Sequence, residues 1–145
     1  MSSLIGDRLP APLRFEFGTP PARGAQSHAV LLATVDEGGI PRIAVLSTAE
    51  IVVADERRLR VKLRAGSSSL ANVAARGKAA VWCVLDAAAY TIKGTARFAS
   101  DPSDEGWQAV DFDVESVWRD FEEGAPMIGG PTYRAPGGDG ASERG

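Results

Sequence analysis

Apolar and polar residues alternate over much of the 145-residue chain, and the alternation changes phase at closely spaced turn signals. From His28 to Asp36, HAVLLATVD is rich in Val and Leu and predicts a buried strand. DEGGIP follows as a reverse turn, with Gly38 and Gly39 free to take positive φ. RIAVLSTAEIVVADERRLRVKLRA then holds three short strands. Ile43 and Val45, with Ser47, alternate in the first; Glu50 to Ala54 form the second; Asp55 to Arg58 make a charged hairpin turn into the third. In that third strand Val61 and Leu63 alternate with Lys62 and Arg64. Ala65-Gly66 breaks the period, three serines follow, and Leu70, Val73 and Ala74 recur at helical spacing until Gly77. Ser67 or Ser68 is placed to cap that helix, and Gly77 suits the left-handed position past its end. AAVWCVL predicts a strand central in its sheet, and YTIKGTARFAS another, with a bulge at Lys93-Gly94.

Two stretches resist a single period. WQAVDFDVESVWRDF (107–121) fits a helix face through Trp107, Val110, Val114, Val117, Trp118 and Phe121. It fits a strand equally through Val110, Phe112 and Val114 with aspartates between. Aspartate, β-branched and aromatic residues are poor helix formers, which favours a strand that bulges near Ser116. Residues 1–27 carry Pro10, Pro12, Pro20 and Pro21, which excludes a long helix. They read as an irregular arm that Leu9, Leu13, Phe15 and Phe17 pin to the domain. Residues 28–134 then form one domain, ending in an edge segment at Thr132–Arg134, and 135–145 read as a disordered tail by composition. About six strands and one short helix, spaced by turns, make a barrel or a sandwich.

Composition narrows the function classes. A net charge of −3 without a basic run offers no surface for nucleic acid or anionic membrane. A single cysteine, Cys83, excludes an internal disulfide framework and sits in an apolar run as a core residue. With no signal-peptide layout and no membrane-length apolar run, the expected compartment is the cytoplasm. His28 has no second His or Cys at ligand spacing, so no metal site is expected. Asp111 and Asp113, at alternate strand positions, mark a solvent face more simply than a catalytic pair. No nucleophile elbow, P-loop or GxGxxG is present, so any catalysis calls for a bound cofactor. The one suggestive cluster is Ser67, Ser68 and Ser69 at a helix start beside Lys62 and Arg64. It reads either as an anion cradle or as an ordinary cap.

In this order, LLATVDEGGIPRIAVLS, LRVKLRAGSSSLANVAARGKAAVWCVL and YTIKGTARF resemble the FMN-binding split β-barrel of the pyridoxamine 5′-phosphate oxidase superfamily, over roughly residues 28–98. The resemblance implies a mainly β fold, a six-to-seven-stranded antiparallel split barrel with one short helix. It also implies a homodimer with FMN in the clefts between protomers. Arg42 falls on the arginine that begins the family's flavin-contacting strand. Ile43, Ala44, Val45 and Leu46 would run beside the isoalloxazine ring, and Ser47 stands where the oxidases use a lysine. Lys62 and Leu63 replace a Tyr-Thr pair, Ser68 and Ser69 replace the Arg-Lys pair that grips the phosphate, and Ala89 replaces a ring-contacting glutamine. Lys62, Arg64 or an arginine of the partner chain would compensate for the lost cations, and with Ser67 these positions form the expected cofactor site. No catalytic residue is assigned. The departures argue against oxidation of pyridoxamine phosphate itself and leave two readings. One is a flavin-dependent oxidoreductase of unassigned substrate. The other is a non-catalytic dimer whose altered site takes haem, deazaflavin or nothing.

Overall fold

A computed structural model describes residues 1–20 and 22–136. The chain runs β1 (Ser2–Gly6), α1 (Ala11–Glu16), β2 (Gln26–Val35), β3 (Pro41–Ser47), a 3₁₀ turn (Thr48–Glu50), β4 (Ile51–Asp55) and β5 (Arg58–Arg64). It continues with α2 (Ser68–Arg76), β6 (Lys78–Leu85), β7 (Ala88–Phe98), β8 (Trp107–Asp120) and β9 (Thr132–Arg134). Among the described residues nine strands form one antiparallel system, ordered β3-β2-β6-β7-β8-β5-β4, with β1 on β8 and β9 on β2. The architecture is the mainly β one expected from the sequence. It has more strands than the expected six to seven, and a second helix. Among the described residues no helix is long and apolar enough to cross a membrane.

The additional elements come largely from the N-terminal arm, which is less irregular than its prolines suggest. Ser2 to Leu4 pair with Trp118 to Asp120, and Pro10 and Pro12 sit at the start of α1, where a missing N–H costs nothing. Leu9, Leu13 and Phe17 are buried, but Phe15 is exposed and pins nothing. β9 is the short edge segment expected at Thr132–Arg134. The tail expected at 135–145 lies mostly in residues 137–145, outside the described residues; Ala135 is buried, its N–H bonded to Ala25 O.

Residues 107–121 are a strand, and its bulge explains why they also imitate a helix. Gly94 pairs with Val114 and Lys93 with Ser116, so the register breaks at Lys93-Gly94 and near Ser116, as both expectations had it, and the extra residue is Glu115 on β8. The insertion shifts the side-chain phase by one: Val110, Phe112 and Val114 are buried before it, Val117 after it. Positions 110, 114 and 117 therefore share a face as they would on a helix.

Strand β3 corrects a second expectation. Ala44 and Leu46 face inward, whereas Ile43 and Val45 are 53% and 67% exposed. An apolar outer face on a terminal strand of the sheet order is unusual for a lone protomer.

Candidate functional site

The site lies where the sheet fails to close. β3 ends the strand order on one side and β4 on the other. The chain leaves β5, makes a turn in which Ser67 N–H bonds to Arg64 O at 3.1 Å, and enters α2. Ser67, not Ser68, is the N-cap: its Oγ accepts from Leu70 N at 3.3 Å. At the other end Gly77 takes φ 67°, the left-handed conformation that lets its N–H close on Val73 O.

Polar side chains fix α2 against the sheet. Asn72, buried, donates from Nδ2 to the buried Thr34 Oγ1 at 3.0 Å. Arg76 donates from Nη2 to Asn72 Oδ1 at 2.8 Å and from Nε to Val35 O at 2.6 Å. Leu70 and Val73 fill the core beneath, while Ala74 stays exposed. The N-terminus of α2 is thus held in one place relative to β2.

At that N-terminus a cavity of about 330 Å³ opens between β3, β5 and α2. β3 lines it with Arg42, Ala44, Val45 and Leu46, and β5 with Lys62, Leu63 and Arg64. Ser67 and Ser69 come from the helix start. Ser69 lines it although only 2% exposed. Nine of the twelve expected positions are therefore brought together. Ile43 points to the outer face, Ser68 is exposed away from the cavity, and Ser47 is occupied at the 3₁₀ turn, where its N–H donates to Glu50 Oε1 at 2.9 Å. Ala89, on β7, is buried and does not line it.

Two lining residues were not expected, Glu50 and Trp107. Trp107 lies directly opposite Arg64 in the β5–β8 register, and the guanidinium carbon sits 4.5 Å above its ring. No spacing along the chain signals that pairing. Three cations, Arg42, Lys62 and Arg64, face one carboxylate, Glu50. Among the described residues neither Arg42 nor Arg64 makes an ion pair, whereas Lys62 Nζ is 3.1 Å from Asp104 Oδ2. Free guanidinium groups beside a helix N-terminus attract an anion, and phosphate-type oxygens match their geometry. The apolar walls from Ala44, Leu46, Leu63 and Trp107 suit a flat ring.

Other candidate chemistry resolves into structure. Asp111 and Asp113 are not simply solvent-facing: Asp111 is buried, bonded to Arg60 Nε at 3.0 Å, and Asp113 bridges Arg58 and Arg97. Burial opposes ionisation of Asp113, but its hydrogen bonds from Arg97 and Arg58 outweigh it and hold the carboxyl below its ordinary value. Burial pushes the Cys83 thiol up to about 12, with a smaller contribution from Glu16, leaving it inert. His28 Nε2 lies 4.0 Å from Glu16 Oε1.

Comparison with known proteins follows the same line. The sequence profile described as pyridoxamine 5′-phosphate oxidase matches residues 22–127. No curated protein matches the sequence. Among solved structures, a pyridoxamine 5′-phosphate oxidase candidate from Lactobacillus delbrueckii superposes with a TM-score of 0.63 at 20% identity, covering 81% of this chain and 98% of its own. HupZ of Group A Streptococcus superposes at 0.56 with 18% identity, over 70% and 90% of the two chains. General Stress Protein 26 of Bacillus anthracis does so at 0.54 with 13% identity, over 74% and 89%. These identities establish a shared fold and no more. The matched profile spans the strands and helix that build the cavity, and by that match the chain belongs to the pyridoxamine 5′-phosphate oxidase family.

Proposed function

We propose that this protein binds FMN at the β3–β5–α2 cavity and is a flavin-dependent oxidoreductase of unassigned substrate, distinct from a true pyridoxamine phosphate oxidase. The observation that carries the reading is the convergence of Arg42, Arg64, Ser67 and Ser69 on one cavity at a fixed helix N-terminus. Arg42 and Arg64 would neutralise the phosphate, and Ser69 and the first-turn amides of α2 would donate to its oxygens. Ala44, Leu46, Leu63 and Trp107 would exclude water from the ring system. The bound flavin would supply the hydride or electron transfer that the lining side chains lack. Ile43, exposed on the outer face of β3, and Val45, exposed where β3 lines the cavity, suit contact with a second copy, which would turn the open cavity into a cleft between protomers.

Flavin titration followed by absorbance and fluorescence tests the reading. Micromolar FMN is expected to bind. Arg42→Ala should weaken binding by about tenfold or more, the loss of one charge-assisted contact, and Ser69→Ala should weaken it less. Ser68→Ala should leave affinity unchanged, because that side chain lies outside the cavity. No binding, or wild-type affinity in both Arg42→Ala and Ser69→Ala, refutes the assignment.

A second reading rests on Glu50, a carboxylate in the same cavity, and on the pairing of Lys62 with Asp104. Both reduce the positive field, as in a non-catalytic protein whose site holds haem, deazaflavin or no ligand. Native mass spectrometry of freshly purified protein separates the two, since co-purified flavin excludes the second.

A further inference from the structure

Along one face of β5, successive outward residues each find a partner. Arg58 pairs with Asp113, Arg60 with Asp111 and Asp101, and Lys62 with Asp104, while Arg64 stacks on Trp107. Asp101 and Asp104 belong to the β7–β8 connection, which reaches back across β5. Backbone bonds hold that connection in place: Trp107 N–H to Asp104 O at 3.0 Å and Ala65 N–H to Gly106 O at 3.0 Å. Ser103 Oγ also accepts from Ala109 N at 3.0 Å. Of the β5 cations paired with a carboxylate, only Lys62 lines the cavity. Asp104 itself does not line it.

Resting on the proposed FMN site, we infer that Asp104 is the counter-ion that withholds Lys62 from the ligand and so sets how strongly the cavity grips a phosphate. An incoming phosphate must share or displace the Asp104 carboxylate to use the Lys62 ammonium. Arg42 and Arg64 demand no such exchange. The side chains are 47% and 73% exposed, so the exchange is shallow and easily reversed. Asp104 is a positioning residue that discriminates by ligand charge, and it acts on FMN but not on riboflavin, which lacks the phosphate.

The test compares FMN and riboflavin affinities of wild type, Asp104→Asn, Asp101→Asn and Lys62→Met, with Asp104→Asn also placed in the Lys62→Met background. At low ionic strength, where an exposed pair is least screened, Asp104→Asn should tighten FMN binding about two- to fivefold, the range of exposed ion pairs. Riboflavin binding should not change. Asp101→Asn removes one of the two carboxylate partners of Arg60, which stays bonded to Asp111 and does not line the cavity, and should leave FMN affinity where it was. In Lys62→Met the effect of Asp104→Asn should vanish. Unchanged or weaker FMN binding by Asp104→Asn overturns the inference. So does equal tightening of riboflavin, or equal tightening by Asp101→Asn, since either would mean a loop or net-charge effect. If wild type and Asp104→Asn both fail to bind FMN, the flavin reading falls and this inference with it; FMN binding with equal affinities removes the inference alone.

Discussion

Replacing Gly94 with alanine probes the closest approach between β7 and β8. A Cβ at Gly94 would stand 2.0 Å from Asp113 O, and 3.0 Å from Asp113 C and from Cε1 of the buried Phe112. The obstacle is backbone, so no rotamer change relieves it. Restoring even a tight contact requires the strands to part by about 1 Å, which breaks the adjoining ladder hydrogen bonds at about 0.5–1.5 kcal/mol each. Overpacking against Phe112 adds about 1–3 kcal/mol. Gly94→Ala should therefore destabilise by about 3–5 kcal/mol, a large share of the roughly 5–15 kcal/mol of a typical domain. Urea denaturation followed by Trp fluorescence measures it, and the midpoint should fall by about 2 M for a slope near 2 kcal/mol/M. Gly129→Ala is the control: a Cβ there meets nothing within 4 Å, and the change should stay within about 0.5 kcal/mol. A loss below about 1 kcal/mol for Gly94→Ala would refute the close approach and, with it, the bulge at Glu115 that brings Asp113 over Gly94.

Two further outcomes follow from the same sheet. The β6–β7 turn places Asp86 and Ala87 at φ 51° and 67° with no glycine, so Ala87→Gly should raise stability by about 0.5–1 kcal/mol, read as a higher Tm; a lower Tm would contradict the turn geometry. Asp113 is held below its ordinary 3.8, so its ion pairs contribute fully above that value and are lost as pH falls through the lower folded value. Stability measured from pH 6 down to pH 2 should fall less steeply in Asp113→Asn than in wild type, and identical slopes would show that the Arg58–Asp113–Arg97 bridge contributes nothing.

Much of the fold was legible because its signals are local. The alternation in 59–64, the serine cap and Gly77 mark β5 and α2 directly, and the structure keeps both. What misled were patterns whose meaning depends on a neighbour. Ile43 and Val45 carry the apolar residues of β3 yet face outward, because Ala44 and Leu46 meet the core. Residues 110, 114 and 117 mimic a helix because one inserted residue resets the phase of a strand. The prolines at 10 and 12 suggested irregularity, while the register of Ser2–Leu4 on β8 makes the arm part of the sheet.

The sequence by itself determined which residue types are available for chemistry: cations on alternate positions of one strand, hydroxyls at a helix start, and no metal or nucleophile motif. Tertiary structure decided which of them share a space. Ser67 and Ser69 reach the cavity and Ser68 does not, because Ser67 is the extended N-cap before the helix, Ser69 is turned into the domain and Ser68 is turned to solvent. Lys62 is paired and Arg64 is not, because the β5–β8 register sets Trp107 opposite Arg64 and the connection before it sets Asp104 against Lys62. Such contacts join residues some forty positions apart. Their energy depends on distance in space, which no local pattern along the chain encodes.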